Sequence, residues 1–388
     1  MATEEQKRKR SLYSRKMVKK CDRTHGNKRQ HKSLEDRLRK YEVRGEGYEF
    51  VPAMMHLIER YLTQLPEDSK NAMDERLARS LDKIPEARKV LEVAAEKHRG
   101  IPRAIKRRAF SPKYLDIGIT QGIDIPEIVG IVQRARALRN TSVRSIAAAV
   151  ATTGRLPVKE THDCCCCCCQ GTPPSQPDPT PTAPPNQYEV TFTKLYCVDE
   201  SNPEDLGIFG NISDEPYVVF GVITEEMAEA GTPALASHTP VYEDVDDGDT
   251  RPQSGDENLR LFGFAGPRAI DSSVLITASC FENDLGDVSE TTDAVRAALT
   301  TAATTAAGAG GLAGWLVAGV AVVGIGVTYL IDLIGADDQI NDTIALSLTE
   351  ADADARTSAV NPIIFDPLHF DGGDSDGIYD VYLKLRRV

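Results

Sequence analysis

Ala297 to Ile331 is a run of thirty-five residues without a charge, closed by Arg296 on one side and Asp332 on the other. Any fold of this chain must either hide that run or deliver it to lipid. Its second part, Leu312 to Ile334, reads LAGWLVAGVAVVGIGVTYLIDLI, and about 20 apolar helical residues span a bilayer. Gly308, Gly310, Gly311, Gly314, Gly319, Gly324 and Gly326 argue against a free-standing helix, because each costs roughly 1 kcal/mol of helix propensity relative to Ala. The same small residues suit close packing: Gly310 and Gly314, and Gly314 and Ala318, lie four apart on one helical face. Three readings stay open: a glycine-rich hairpin buried in a soluble domain, a hairpin that inserts into a membrane, and a single permanent span. For insertion, the residues that meet lipid are Gly310, Gly314, Trp315, Leu316, Gly319, Val320, Val323 and Tyr329.

Charge divides the 388 residues in two. Residues 1–163 carry 36 Lys+Arg and 22 Asp+Glu, a net of +14, whereas residues 164–388 carry 9 and 36, a net of −27. One half therefore favours an anionic partner or surface, or the halves attract one another within or between chains. The opening MATEEQKRKRSLYSRK has no apolar run after its basic residues, so no cleavable signal peptide is expected. That predicts a cytoplasmic start, followed by membrane association or export by a non-classical route.

Residues 1–44 hold sixteen Lys/Arg and six Asp/Glu, a composition that predicts a mobile basic arm. A basic helical bundle is expected over 45–160. Met54, Leu57, Ile58, Tyr61 and Leu62 recur at helical spacing. A second helix is expected from Pro66-Glu67-Asp68, a third from Pro85 to Gly100 and another from Pro126. Arg103, Lys106, Arg107 and Arg108 form its densest basic patch, read as a solvated helix face or as a seat for a polyanion.

A linker follows at 161–187. It opens with Cys164, Cys165, Cys166, Cys167, Cys168 and Cys169 and continues into Thr172 to Pro185, with seven prolines in fourteen residues. The prolines predict an extended spacer. The six thiols are candidates for lipidation, for a soft metal, for disulfides between chains, or for no selected role at all.

From 188 to 388 the period becomes two. Strands are expected at Tyr188 to Cys197, Tyr217 to Ile223, Leu259 to Ala265, Val274 to Phe281, Thr343 to Leu348 and Ile378 to Leu385. Such strands predict an antiparallel β-sandwich, with Lys384 and Arg386 guarding an edge. The uncharged run falls between two of these strands, and only a hairpin, placed at 290–335, returns the chain to the side it left. The expected fold is thus multidomain α + β: helical bundle, Cys/Pro-rich linker, and a C2-like β-sandwich with an inserted hydrophobic helical hairpin.

Tyr188 to Val388 also resembles a group of largely uncharacterised bacterial β-sandwich proteins. The likeness rests on Cys197-Val198-Asp199-Glu200, Ser213-Asp214-Glu215-Pro216-Tyr217, Glu282-Asn283-Asp284, the Gly/Ala-rich insert and Asp337-Asp338. It implies a sandwich with a hydrophobic insert and brings no catalytic residues with it.

Carboxylates gather in several expected loops, and Ca²⁺ takes 6 to 8 oxygens. Candidate Ca²⁺ ligands are Asp199, Asp214, Asp246, Asp249, Asp371, Asp374 and Asp376, with solubility around the apolar insert as the plainer reading. The chain has no nucleophile elbow, HExxH or phosphate-binding glycine loop with its Lys, so no enzyme is expected. These features favour a membrane-active, toxin-like or effector-like protein that inserts its hairpin into lipid and uses the basic module for loading, targeting or binding. The alternative is a non-enzymatic binding or structural protein, self-assembling or with a protein partner, whose hairpin stays buried.

Overall fold

The structure is a computed structural model that describes residues 49–63, 65–137, 185–200, 214–253, 259–283, 287–307, 320–334, 338–372 and 377–388. The basic arm, the cysteine and proline tract, the turn of the uncharged run and the acidic residues 373–376 lie outside them. It is a mixed α and β protein whose sheets are antiparallel.

The first helices follow the apolar periodicity. Helix α1 (Phe50–Thr63) is succeeded by α2 (Ala72–Leu81), α3 (Ala87–Gly100), α4 (Arg103–Ala109), α5 (Pro112–Leu115) and α6 (Ile125–Ala137). Pro66-Glu67-Asp68 does not open α2; a 3-10 turn occupies Glu67–Ser69. The helix starts at Asn71, whose side chain accepts from the amides of Met73 and Asp74 while the Asp74 carboxylate accepts from the Asn71 amide. Such reciprocal capping satisfies donors that a helix start leaves unpaired. Asp74 also holds the fully buried Arg60, at 2.9 and 2.6 Å, and Arg60 donates in addition to the carbonyls of Ile119 and Ser69. This buried cation is thus paired on every side that matters for its desolvation.

The strands form two sheets. In the first, β1 (Tyr188–Asp199) lies between β10 (Ile378–Arg387) and the short β4 (Thr250–Arg251) and β5 (Leu259–Phe262), while β8 (Ile363–Ile364) and β9 (Leu368–Asp371) pair with β10. In the second the order is β3 (Leu235–His238), β2 (Pro216–Thr224), β6 (Ser273–Glu282) and β7 (Asp338–Thr349). Short helices α7 (Glu225–Glu229) and α10 (Glu350–Ala359) follow β2 and β7. Tyr379, Val381, Leu383 and Leu385 of β10 are all buried at alternate positions, and Phe192 meets Phe220 of the other sheet with ring centroids 5.5 Å apart. The expected edge is corrected: β10 has partners on both sides, Lys384 pairs in register with Thr191 and Ile364, and Arg386 Nε reaches Glu189 at 2.8 Å.

The uncharged run supplies α8 (Val288–Ala307) and α9 (Val320–Ile334), which pack on each other. Asp287 begins α8: its carboxylate accepts from the Ser289 amide and its carbonyl from Glu290. The expected caps, Ser289 and Thr291, therefore stand inside the first turn. Both helices lie on the face of the second sheet that the first sheet leaves open, and α1, α2, α3 and α6 cover their far side. Two glycines permit this closeness. A Cβ on Gly221 would stand 2.5 Å from Leu299, and one on Gly326 would stand 3.1 Å from both Met54 and Phe50 and 3.2 Å from Ala302. The helical segment expected as a separate unit accordingly shares a single continuous core with the apolar run and with Tyr217, Val219, Ile223, Leu275 and Phe281 of the sheet.

Candidate functional site at the helix seam

The plane between the early helices and the apolar pair is mostly aliphatic, yet polar groups cross it at three places, and a fourth polar tie runs from Lys83 after α2 to the turn after α7. His98 Nδ1 of α3 lies 2.7 Å from the Tyr329 hydroxyl of α9. Thr304 of α8 donates to Ser80 of α2 at 3.3 Å. Lys97 donates to the carbonyl of Ile334 at the end of α9, and Lys83 donates to that of Gly231. The buried members, His98, Ser80 and Thr304, must be paired to be tolerated, whereas Lys97 and Lys83 are exposed.

His98 is the centre of the densest group. Its ring meets Tyr329 edge to face, Phe110 in turn meets the Tyr329 ring edge to face, and Lys106 of α4 donates to the His98 carbonyl at 3.1 Å. Burial, assisted by the Lys106 charge, lowers the His98 pKa to about 3. Burial raises the Tyr329 pKa well above its ordinary value, with Asp332 adding to it. Glu59 of α1 is raised by burial against the opposing pull of Arg99 and Lys106, and burial lowers Lys106 although Glu59 offsets part of the effect. Neighbouring titratable groups displaced in this way mark candidate functional positions.

Of the residues expected to meet lipid, Val323 and Tyr329 have no exposed surface. Gly310, Gly314, Trp315, Leu316 and Gly319 lie outside the described residues, and Val320 opens α9 without a described side-chain environment. No described helix is long and apolar enough to cross a membrane. Cys164 to Cys169 also lie outside the described residues. The basic patch is partly neutralised from within: Arg103 and Arg107 both hold Asp116, and Lys106 faces the seam.

The acidic candidates come together in part. The loop after β3 meets the end of β1, where Glu200 donates its amide to Asp247 and Gly248 donates to the Cys197 carbonyl. Burial raises the Glu200 pKa, and Asp247, Asp246, Asp214 and Asp199 add to the shift. Asp249 is bound by Arg251 at 2.9 Å, Asp214 is buried and accepts from the Tyr379 hydroxyl, and Asp371 sits at the end of β9. Asp374 and Asp376 lie outside the described residues. Among the described residues, no group of three or more His, Cys, Asp and Glu could hold a metal ion. Beside Asp214, burial raises Cys197 to about 12 and raises Cys280 strongly, which makes both inert thiols at neutral pH.

Sequence reasoning passed over His98 and Glu59. The signal for His98 was present, since Leu91, Ala94 and His98 fall on one helical stripe and two of the three are aliphatic. Its partner could not be read, because Tyr329 lies 231 residues away. No family model, curated protein or solved structure matches this chain.

Proposed function

We propose that this protein is a non-enzymatic binding and assembly protein. Its uncharged run forms a hairpin inserted in a C2-like antiparallel β-sandwich and stays in place as core. The supporting observation is that α9 is sealed on both sides, by the second sheet and by the early helices, with Val323, Val327, Tyr329 and Leu330 fully buried. Fully burying one large apolar side chain contributes about 1.5–3 kcal/mol. Exposing those four to water would cost on the order of 6–12 kcal/mol, comparable with the whole stability of an ordinary domain. The run leaves its place only if another apolar medium receives it.

The binding capacity rests on charge. The half that precedes the cysteine tract carries a net of +14, and its basic arm suits an anionic partner. The test uses the full chain with heparin as a polyanion and, in parallel, with dye-loaded vesicles containing anionic lipid at neutral pH. Binding to heparin that weakens steeply with salt, without dye release, is the expected result. Dye release at neutral pH would overturn the buried-core reading.

A second reading follows from the polar crossings of the seam. In it the protein is membrane-active and α1 to α6 form a cover that holds the hairpin in a closed state. The seam is the plane at which this core would open, since His98, Ser80 and Lys97 can exchange their partners across it for water.

A further inference from the structure

We propose that the seam between the early helices and the apolar helix pair is an acid-sensitive latch, with His98 as the group whose protonation opens it. The inference goes beyond the binding reading and holds whether or not lipid is the eventual receiver.

The geometry comes first. His98 is 6% exposed and sits where α3, α4 and α9 meet. A proton on its ring would create a cation in a buried place against the Tyr329 ring, which Phe110 backs edge to face. The charged and titratable groups around it come from every packed element. Lys106 and Arg103 stand on α4, Lys97 and Arg99 on α3 itself, Glu59 on α1, and Tyr329 and Asp332 on α9. Lys106 is the charge that bears on the ring, and it opposes a second cation. Apolar neighbours and a nearby ammonium both penalise a charged imidazole.

The direction follows from linkage. The closed state holds His98 with a pKa of about 3, whereas a solvated histidine titrates near 6.5. An open seam therefore binds more protons than a closed one, and it gains on the closed state as pH falls below about 6.5. The gain levels off as the closed state itself begins to protonate near 3. Between pH 6.5 and 4.5 the opening equilibrium should shift about 50-fold, approaching tenfold per pH unit only well below 6.5.

Two other groups bear on the sum. His56, against the Gln121 carbonyl, is also lowered by burial, so it adds acid sensitivity within the helical layer but away from the seam. Glu59 acts oppositely: its closed-state pKa is raised, so acid stabilises the closed state through this group. The large displacement of His98 outweighs the smaller one of Glu59.

The test is hydrogen exchange on the intact chain between pH 7 and 4.5, corrected for intrinsic rates, reading amides of α9 (322–334) and α3 against those of β10. The wild type should lose about 50-fold protection in α3 and α9 from pH 6.5 to 4.5, while β10 keeps its protection. His98→Asn keeps a hydrogen-bonding side chain that does not titrate and should flatten the dependence. Tyr329→Phe should lower protection at every pH and retain the slope, which keeps the idea testable if His98→Asn folds poorly. Glu59→Gln should steepen the slope. An unchanged slope in His98→Asn, flattening by His56→Asn instead, or parallel loss of protection in β10 would each overturn the latch.

Discussion

The second sheet separates two cores of different construction. On one face Val218, Phe220, Val222 and Ile276 meet β1, β5 and β10, so that core is strand against strand and drawn wholly from residues after 187. On the other face Tyr217, Val219, Ile223 and Leu275 meet α8, α9 and the early helices. That core joins segments from opposite ends of the chain and from halves of opposite charge. The first is aliphatic and aromatic except where the Tyr379 hydroxyl donates to the buried Asp214, whereas the second is crossed by His98, Ser80 and Thr304. A core assembled within one contiguous stretch can be almost wholly apolar. One that brings distant segments together gains register and direction from polar pairs, and with them sensitivity to pH.

The contrast can be broken most severely at Val323, which is fully buried in α9. Val323→Asp puts an unpaired charge between the helices and the sheet, and we expect loss of soluble, folded protein. A soluble Val323→Asp protein with unchanged melting would remove the distinction between a sealed and an exposed helix pair. Next in size is Asp74→Ala, which strands the buried Arg60 guanidinium. A loss of about 3–5 kcal/mol is expected in denaturant titration, and a loss below about 1 kcal/mol, typical of exposed pairs, would show the site to be wet.

Leu383→Ala strikes the strand-built core instead, where a truncated buried leucine costs about 2–5 kcal/mol. If the two cores share the second sheet as one cooperative unit, circular dichroism of both helix and strand should shift to the same new midpoint. Two separated transitions would make the cores independent. The smallest effect is expected at the surface: Asp116→Ala frees Arg103 and Arg107 with little change in the melting midpoint, since exposed pairs contribute little. It should also strengthen heparin binding, so unchanged binding would argue that these arginines contribute nothing to it.

Much of the architecture was legible locally. Strands β1, β2, β6 and β10 lie within two residues of their expected limits, because alternation and turn residues are short-range signals. Strands β3, β4, β8 and β9 escaped because two to four residues carry no periodicity. The caps at Asn71 and Asp287 were missed for a different reason, since several polar residues near each helix start could have served.

The sequence by itself determined that a thirty-five-residue uncharged run must be covered, that it lies between strands of one β region, and that a basic helical segment precedes an acidic one. Tertiary structure alone decided what does the covering. Apolar burial is non-directional, so the run could have been satisfied by lipid, by another copy or by its own chain. The choice was made by contacts across hundreds of residues, such as Met54 against Gly326 and His98 against Tyr329, and no local pattern encodes contacts of that range.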